Sequence, residues 1–233
     1  MVLTVHHLAA SRSQRILWLL EELGVPYEVK RYERVGWGAP PSLKEVHPLG
    51  KSPIITDGDV TLPESGAIID YIFRKYGEGK ISLPTEGKAL TDELYYSHAA
   101  EASLMPLIVN NTFCKRILPG RVAEEERPVA TSVLTNVAET LYEPQIKTRI
   151  DEHLSKNRWF AGGANPTVAD YMMIFPLELL PQGGFSTANI DAYLERVQTR
   201  PAYRRGIEKG GPYRYDYQSE ENCLVLLRGA AKS

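Results

Sequence analysis

Cysteine is almost missing from this chain, with only Cys114 and Cys223 among 233 residues. Two thiols this far apart make neither a disulfide framework nor a metal-ligand spacing, so no metal is expected. So little cysteine suits a reducing, cytoplasmic setting. Long apolar runs are missing too; none has the length that crosses a bilayer, so no membrane span is expected. The opening Met-Val-Leu-Thr-Val-His-His lacks the basic flank and cleavable apolar core of a secretory signal. Charge of one sign is also lacking. Twenty-seven Lys and Arg face 29 Asp and Glu, a net charge of −2. Such a balance excludes nucleic acid as the main partner, because neutralising phosphates needs a basic field. There is no internal repeat and no low-complexity segment.

What is present is ordinary for a globular protein: 43% apolar and 24% charged residues, with length for one or two domains and a sizeable core. Val2–His7 is apolar and β-branched and reads as a short buried strand. Ser11 with Gln14 matches a capping box. Ile16, Leu17, Leu19, Leu20 and Leu23 then recur at helical spacing, and Gly24 and Pro26 end the helix. Tyr27–Arg31 alternates as a second strand. Short loops in this strand–helix–strand unit force parallel pairing through a right-handed crossover. Arg34–Pro41 is a Gly- and Pro-rich loop carrying Trp37, and a helical turn is expected over Ser42–Val46.

Leu49–Gly66 holds the most chemistry. Apolar runs flank Thr56-Asp57-Gly58-Asp59, a hairpin signal. Ser52-Pro53 stands where the first of these strands begins, and an X–Pro bond is the one place where a cis peptide is cheap. Glu64-Ser65 stands at the start of a helix that runs to Tyr76 with Ile68, Ile69, Ile72 and Phe73 on its apolar face. A carboxylate, a hydroxyl and free N–H groups there could hold the head of a small zwitterionic peptide.

From Lys88 to about Gly206 the period is helical throughout. A long helix carries Leu90, Leu94, Ala99, Ala102 and Leu107, and Pro106 predicts a kink in it. Val129, Val133, Val137 and Leu141 step along a second helix that Pro144 interrupts. Thr167-Val168-Ala169-Asp170 is a capping box opening an apolar helix, with a structural role. The tail from Gly210 alternates Tyr213, Tyr215 and Tyr217 with charged residues and fits an edge strand, an extended arm or a poorly ordered end. The expected divisions are 1–80, 88–208 and a C-terminal extension over 209–233.

Four pieces occur in order at matching distances: Ser11-Arg12-Ser13-Gln14-Arg15, His47-Pro48-Leu49-Gly50-Lys51-Ser52-Pro53, Glu64-Ser65-Gly66-Ala67-Ile68 and Thr167-Val168-Ala169-Asp170. With the βαβ-ββα order and the helical second half, they make the chain resemble the cytosolic glutathione S-transferases over Val2 to about Ile207. Within that family it looks most like the fungal and bacterial serine-type branch. The resemblance implies an N-terminal thioredoxin-like βαβ-ββα domain and a C-terminal helical bundle domain, that is, an α/β plus all-α protein. It implies conjugation of glutathione to hydrophobic electrophiles, with reduction of organic hydroperoxides at the same site, in a homodimer. No cofactor is implied beyond glutathione as co-substrate. A non-catalytic binding module on the same fold is the rival reading; a glutaredoxin-like thiol oxidoreductase is disfavoured because no cysteine precedes Cys114.

Site residues follow from the resemblance. Ser11 is expected to donate to the glutathione sulfur, with Ser13 a neighbour that could take the role. Arg12 lies beside an anion, and Lys51 reaches the glycine carboxylate. A cis Ser52–Pro53 bond presents the backbone of Ser52 to the cysteinyl part. Glu64 takes the ammonium and Ser65 the carboxylate of the γ-glutamyl head, and Glu101 contacts the same ammonium. Trp37 and Phe113, with Tyr171, are candidates for an apolar second-substrate wall.

Overall fold

The computed structural model describes residues 2–36, 38–182 and 185–211. Its elements in chain order are β1 (Leu3–Leu8), α1 (Gln14–Leu23), β2 (Tyr27–Tyr32), a 3₁₀ turn (Pro41–Leu43), β3 (Ile54–Asp57), β4 (Val60–Pro63) and α2 (Ser65–Tyr76). The helices α3 (Gly87–Ala99), α4 (Met105–Thr112), α5 (Arg127–Val137), α6 (Glu143–Ile146), α7 (Glu152–Leu154), α8 (Val168–Gln182), α9 (Ala188–Gln198) and α10 (Pro201–Gly210) follow. Two compact units result. One joins residues 1–82 to the segment from Gln198, and the other spans 83–197. The tail beyond Gly211 lies outside the described residues, as does Trp37.

In the first unit the sheet order is β2-β1-β3-β4. β1 pairs in parallel with β2 and antiparallel with β3, and β3 pairs antiparallel with β4. This is the thioredoxin-like arrangement, with the crossover helix α1 between β1 and β2. β1 is buried along nearly its whole length because it lies inside the sheet. α1 ends at Gly24, whose φ of +59° is the left-handed conformation that glycine adopts without a Cβ clash. Ile16, Leu17, Trp18, Leu19 and Leu20 are all fully buried. An ordinary amphipathic helix would bury one stripe; α1 is covered more widely because α10 packs along it. Glu21 accepts hydrogen bonds from Tyr27 (2.9 Å) and Arg205 (2.7 Å) and pairs with Lys209 (2.6 Å). Glu22 accepts from Arg200 (2.9 Å) and from the Trp18 indole (2.9 Å). The segment of α10 therefore completes the unit that β1 begins.

The capping box expected at Ser11 and Gln14 does not form. The helix begins three residues later than Ser11, with Ser13 as its N-cap residue and no side-chain cap bond. A hydrogen-bonded turn comes first, in which Gln14 N–H donates to the Ser11 carbonyl (3.2 Å) and Ser13 N–H to Ser11 Oγ (3.3 Å). The side-chain amide of Gln14 is buried beside α10 instead of reaching back to the turn.

In the second unit the long helix foreseen from Lys88 runs as α3, a π-turn at Ala100–Leu104, α4 and a second π-turn at Phe113–Ile117. Pro106 sits in the first turn of α4, directly after the first π-turn, within helical backbone that runs on from α3. The core is aromatic. Phe160 lies 4.8 Å from Tyr96 and 5.2 Å from Tyr193 between ring centroids, and His153 stacks on it at 5.7 Å. Of the Thr167–Asp170 box the carboxylate half forms, while the Asp170 N–H donates to the Thr167 carbonyl (3.0 Å) in place of its hydroxyl. Asp170 is fully buried and accepts from the Thr167 N–H (2.9 Å), the Phe160 N–H (3.0 Å) and the Tyr193 hydroxyl (3.2 Å). Tyr171, a candidate for the apolar wall, is fully buried. A buried side chain offers no open surface to a second substrate, so that candidacy is withdrawn in favour of a packing role. By contrast, Val129, Val133 and Leu141 stay exposed.

Candidate functional site

The β1–α1 turn carries the site. β1 ends at Leu8, Ala9 N–H donates to the Tyr32 carbonyl (2.9 Å), and Ala10 takes φ +48°. A left-handed backbone at a residue with a Cβ costs about 1–2 kcal/mol. The turn brings three hydroxyls together. Ser11 Oγ lies 2.8 Å from Ser13 Oγ and 3.2 Å from Ser52 Oγ. Ser13 Oγ lies 2.8 Å from His7 Nδ1. Ser52 Oγ accepts from Leu8 N–H (3.3 Å) and donates to the His6 carbonyl (3.2 Å). Ser11 and Ser13 are buried, Ser52 and Arg12 half-buried.

His7 is the buried end of this chain of polar groups. Burial in strand β1, reinforced by the nearby Arg31 charge and only partly offset by a hydrogen bond to the Gly210 backbone, pushes its pKa down from 6.5 to about 4. The ring is therefore neutral at neutral pH, with one donor and one acceptor nitrogen. Ser13 Oγ is paired with His7 Nδ1, whereas Ser11 Oγ reaches both Ser13 and Ser52. The sequence reading passed over His7 because a histidine in a buried strand looks like packing. Its only signal was a polar residue at a position that β1 buries. Arg34 was passed over too, within a loop read only for its glycines and prolines. Its guanidinium donates from Nε to the Ala9 carbonyl (2.9 Å) and from Nη2 to the Ala10 carbonyl (2.7 Å).

His7 also sets a pH dependence. Between pH 6.5 and about 4 the unfolded chain binds a proton at this position and the folded chain does not, so stability falls as pH falls through that window. The full effect is about 3 kcal/mol. Denaturant unfolding at pH 7 and pH 4 is expected to show the stability of wild type relative to His7→Gln falling by this amount between the two pH values.

The Ser52–Pro53 bond is cis, and the β3 ladder begins only at Ile54. Lys51 is exposed beside it. Glu64, which precedes α2, is exposed and has φ 76° and ψ 118°. For a residue with a side chain this is strained backbone, costing about 1–3 kcal/mol, and such strain clusters at ligand clamps. Ser65 is buried, and its Oγ has no hydrogen-bond partner among the described residues. The first N–H groups of α2 lack helical acceptors for the same geometric reason as in any helix. A strained entry, an orphaned hydroxyl and free N–H groups make the start of α2 fit to hold a carboxylate. Glu101, in the first π-turn, and Phe113, 43% exposed in the second, belong to the helical unit. Among the described residues no His, Cys, Asp and Glu cluster could hold a metal ion, and no helix is long and apolar enough to cross a membrane.

A βαβ-ββα sheet with a cis X–Pro before its third strand defines a thioredoxin-like fold, here with a helical unit in the same chain. The sequence comparisons agree. The family described as glutathione S-transferase, N-terminal domain, matches residues 5–80. Glutathione S-transferase 3 of Schizosaccharomyces pombe is 39% identical over 97% of this chain and 91% of its own length. Glutathione S-transferase 1 of Saccharomyces cerevisiae is 27% identical over 89% of this chain and 95% of its own. Among solved structures, a glutathione S-transferase of Actinobacillus pleuropneumoniae matches with TM-score 0.72 and 28% identity, covering 95% of this chain and 99% of that one. A Pseudomonas fluorescens family member with two glutathione bound matches with TM-score 0.66 and 24% identity over 89% and 92%, a likeness of fold alone. The chain belongs to the glutathione S-transferase family and is a glutathione transferase.

Proposed function

We propose that this transferase is of the serine type, with Ser11 donating a hydrogen bond to the glutathione thiolate. The observation that carries this reading is the hydroxyl chain. Ser13 Oγ is held against the buried His7 Nδ1 (2.8 Å), while Ser11 Oγ stands between Ser13 Oγ (2.8 Å) and Ser52 Oγ (3.2 Å) at the head of the chain. A hydrogen bond to a charged acceptor contributes about 1.5–3 kcal/mol, enough to lower a thiol pKa near 8.5 by about one to two units. The thiolate then attacks the electrophile held beside it, and proximity supplies the rest of the acceleration.

Glutathione is placed by the remaining groups. The backbone of Ser52 pairs with the cysteinyl unit, with Pro53 fixing its direction. Lys51 faces the glycine carboxylate. Ser65 and the α2 N–H groups take the γ-glutamyl carboxylate, and Glu64 takes the ammonium. Arg12 lies next to the thiolate or an acidic substrate. Organic hydroperoxides are a second substrate class: the thiolate breaks the O–O bond, the alcohol leaves, and the resulting glutathione sulfenic acid condenses with a second glutathione to the disulfide and water. The protein works in the cytoplasm as a homodimer, a state supported by the exposed apolar row Val129, Val133 and Leu141 on and beyond α5.

Turnover of a generic aryl halide and of cumene hydroperoxide with glutathione tests the activity, and solution mass at micromolar concentration tests the assembly. Conjugation, peroxide reduction and a dimeric mass are expected. Tight glutathione binding without turnover of either substrate would mark a binding module and contradict the proposal; a monomeric mass would contradict the dimer.

A further inference from the structure

We propose that Arg34 is a positioning residue for the reaction: its guanidinium clamps the two carbonyls before Ser11 and so sets where the Ser11 hydroxyl stands. The inference rests on the reading of Ser11 as the thiolate's partner. Chain order makes the clamp possible. β2 runs parallel to β1 and ends at Tyr32, level with Leu8 in the register. Arg34, two residues further on, is thereby brought beside the turn that leaves β1. Its Nε and Nη2 donate to the carbonyls of Ala9 and Ala10 at 2.9 and 2.7 Å. On the other side, Ala9 N–H is tied to the Tyr32 carbonyl at 2.9 Å. The turn is therefore held from both faces.

The clamp answers a problem that the sequence creates. A backbone φ of +48° would be free for glycine, yet the residue there is Ala10. Left alone, an alanine would relax toward the ordinary right-handed or extended regions. Either change swings the next residue, Ser11, away from Ser13 and Ser52. The planar fork of arginine bonds two adjacent carbonyls at once, and those bonds are charge-assisted. Lysine would keep the charge and lose the fork. A misplacement of about 1 Å at a reacting group can cost on the order of a hundredfold in rate. The Ser11 hydroxyl is the group most exposed to such a shift, because it directly follows the strained residue.

Three variants and two readouts test the clamp: Arg34→Met, Arg34→Lys and Arg34→Met combined with Ala10→Gly. The readouts are the thiol pKa of bound glutathione, from the thiolate ultraviolet band, and amide hydrogen exchange across Ala9–Ser13. Both single variants are expected to raise the thiol pKa by about one unit, a roughly tenfold loss of thiolate at a pH below both values. They are also expected to speed exchange in the turn. Ala10→Gly removes the strain, so in the Met background it is expected to recover most of the pKa shift. Wild-type behaviour of Arg34→Lys would overturn the clamp in favour of simple charge, and failure of the glycine to rescue would overturn it outright. If exchange speeds up as expected while Ser11→Ala leaves the thiol pKa unmoved, the clamp stands and the assignment of Ser11 falls.

Discussion

Ser11→Ala is expected to raise the thiol pKa of bound glutathione by about one to two units and to cut kcat/KM for an aryl halide at neutral pH by roughly ten- to a hundredfold. The loss should lie mainly in kcat, because the groups that hold the peptide portion at Ser52, Glu64 and Ser65 are untouched. Ser13→Ala is expected to move the thiol pKa by less than about half a unit. Its hydroxyl is paired with His7 Nδ1 at 2.8 Å, and alanine leaves Ser11 its neighbour Ser52. A pH titration of the thiolate band in both variants checks the pair. If Ser13→Ala gives the larger shift, the two roles are exchanged.

Asp170→Ala is expected to be the most damaging single change to stability in the helical unit. It strands three buried donors at once: the amides of Thr167 and Phe160 and the phenol of Tyr193. At about 1–3 kcal/mol for each orphaned group, less relaxation, the loss is about 3–5 kcal/mol. For a chain of this length that lowers Tm by roughly 10 °C. Asp170→Asn keeps one acceptor oxygen and should lose about half as much. The carboxyl also titrates unusually. Burial pushes its pKa up to about 6, although the bonds from Thr167, Phe160 and Tyr193 pull the other way. Between about pH 6 and 4 the folded chain therefore holds a proton that the unfolded chain lacks, and this group's contribution to stability grows as pH falls. His7 acts in the opposite sense over nearly the same interval. Wild type alone would show only their difference; thermal unfolding of each variant beside wild type separates them. A pH-independent difference between wild type and Asp170→Asn would contradict the Asp170 assignment.

The fold was legible where local patterns and tertiary structure agree. The β-branched run of β1, the helical spacing of α1, the Asp-Gly hairpin and the Thr167–Asp170 box each carry their own signal, and each appears where the pattern puts it. The capping box at Ser11 was misleading. Serine and glutamine at that spacing suit a helix start, but the turn there is shaped by the strand pairing and by Arg34, and the hydroxyl of Ser11 is drawn to Ser13 and Ser52. Tyr171 misled for a related reason. An aromatic on an apolar helix does not reveal which way its helix faces, and this one faces the core.

Around the β1–α1 turn, the residues in short motifs were singled out and those that reach the turn from afar were not. Ser11, Ser13, Ser52, Glu64 and Ser65 sit in short motifs with turn, proline or helix-start chemistry. His7 reaches Ser13 from β1, and α10, some two hundred residues later, packs against its ring at Gly210. Arg34 matters because parallel pairing of β1 and β2 sets it beside Ala9 and Ala10. Neither relation has a local period or motif. The exposure of Val129, Val133 and Leu141 was equally invisible, since a four-residue apolar step looks the same whether it meets a core or open surface.

The most direct measurement is a crystal structure with glutathione bound at neutral pH. The sulfur is expected within hydrogen-bonding distance of Ser11 Oγ, with Ser13 Oγ still bonded to His7 and the γ-glutamyl carboxylate on Ser65 and the α2 amides. A sulfur bonded to Ser13 in place of Ser11, or a peptide lying away from Ser52 and Ser65, would contradict the assignment of the thiolate to Ser11.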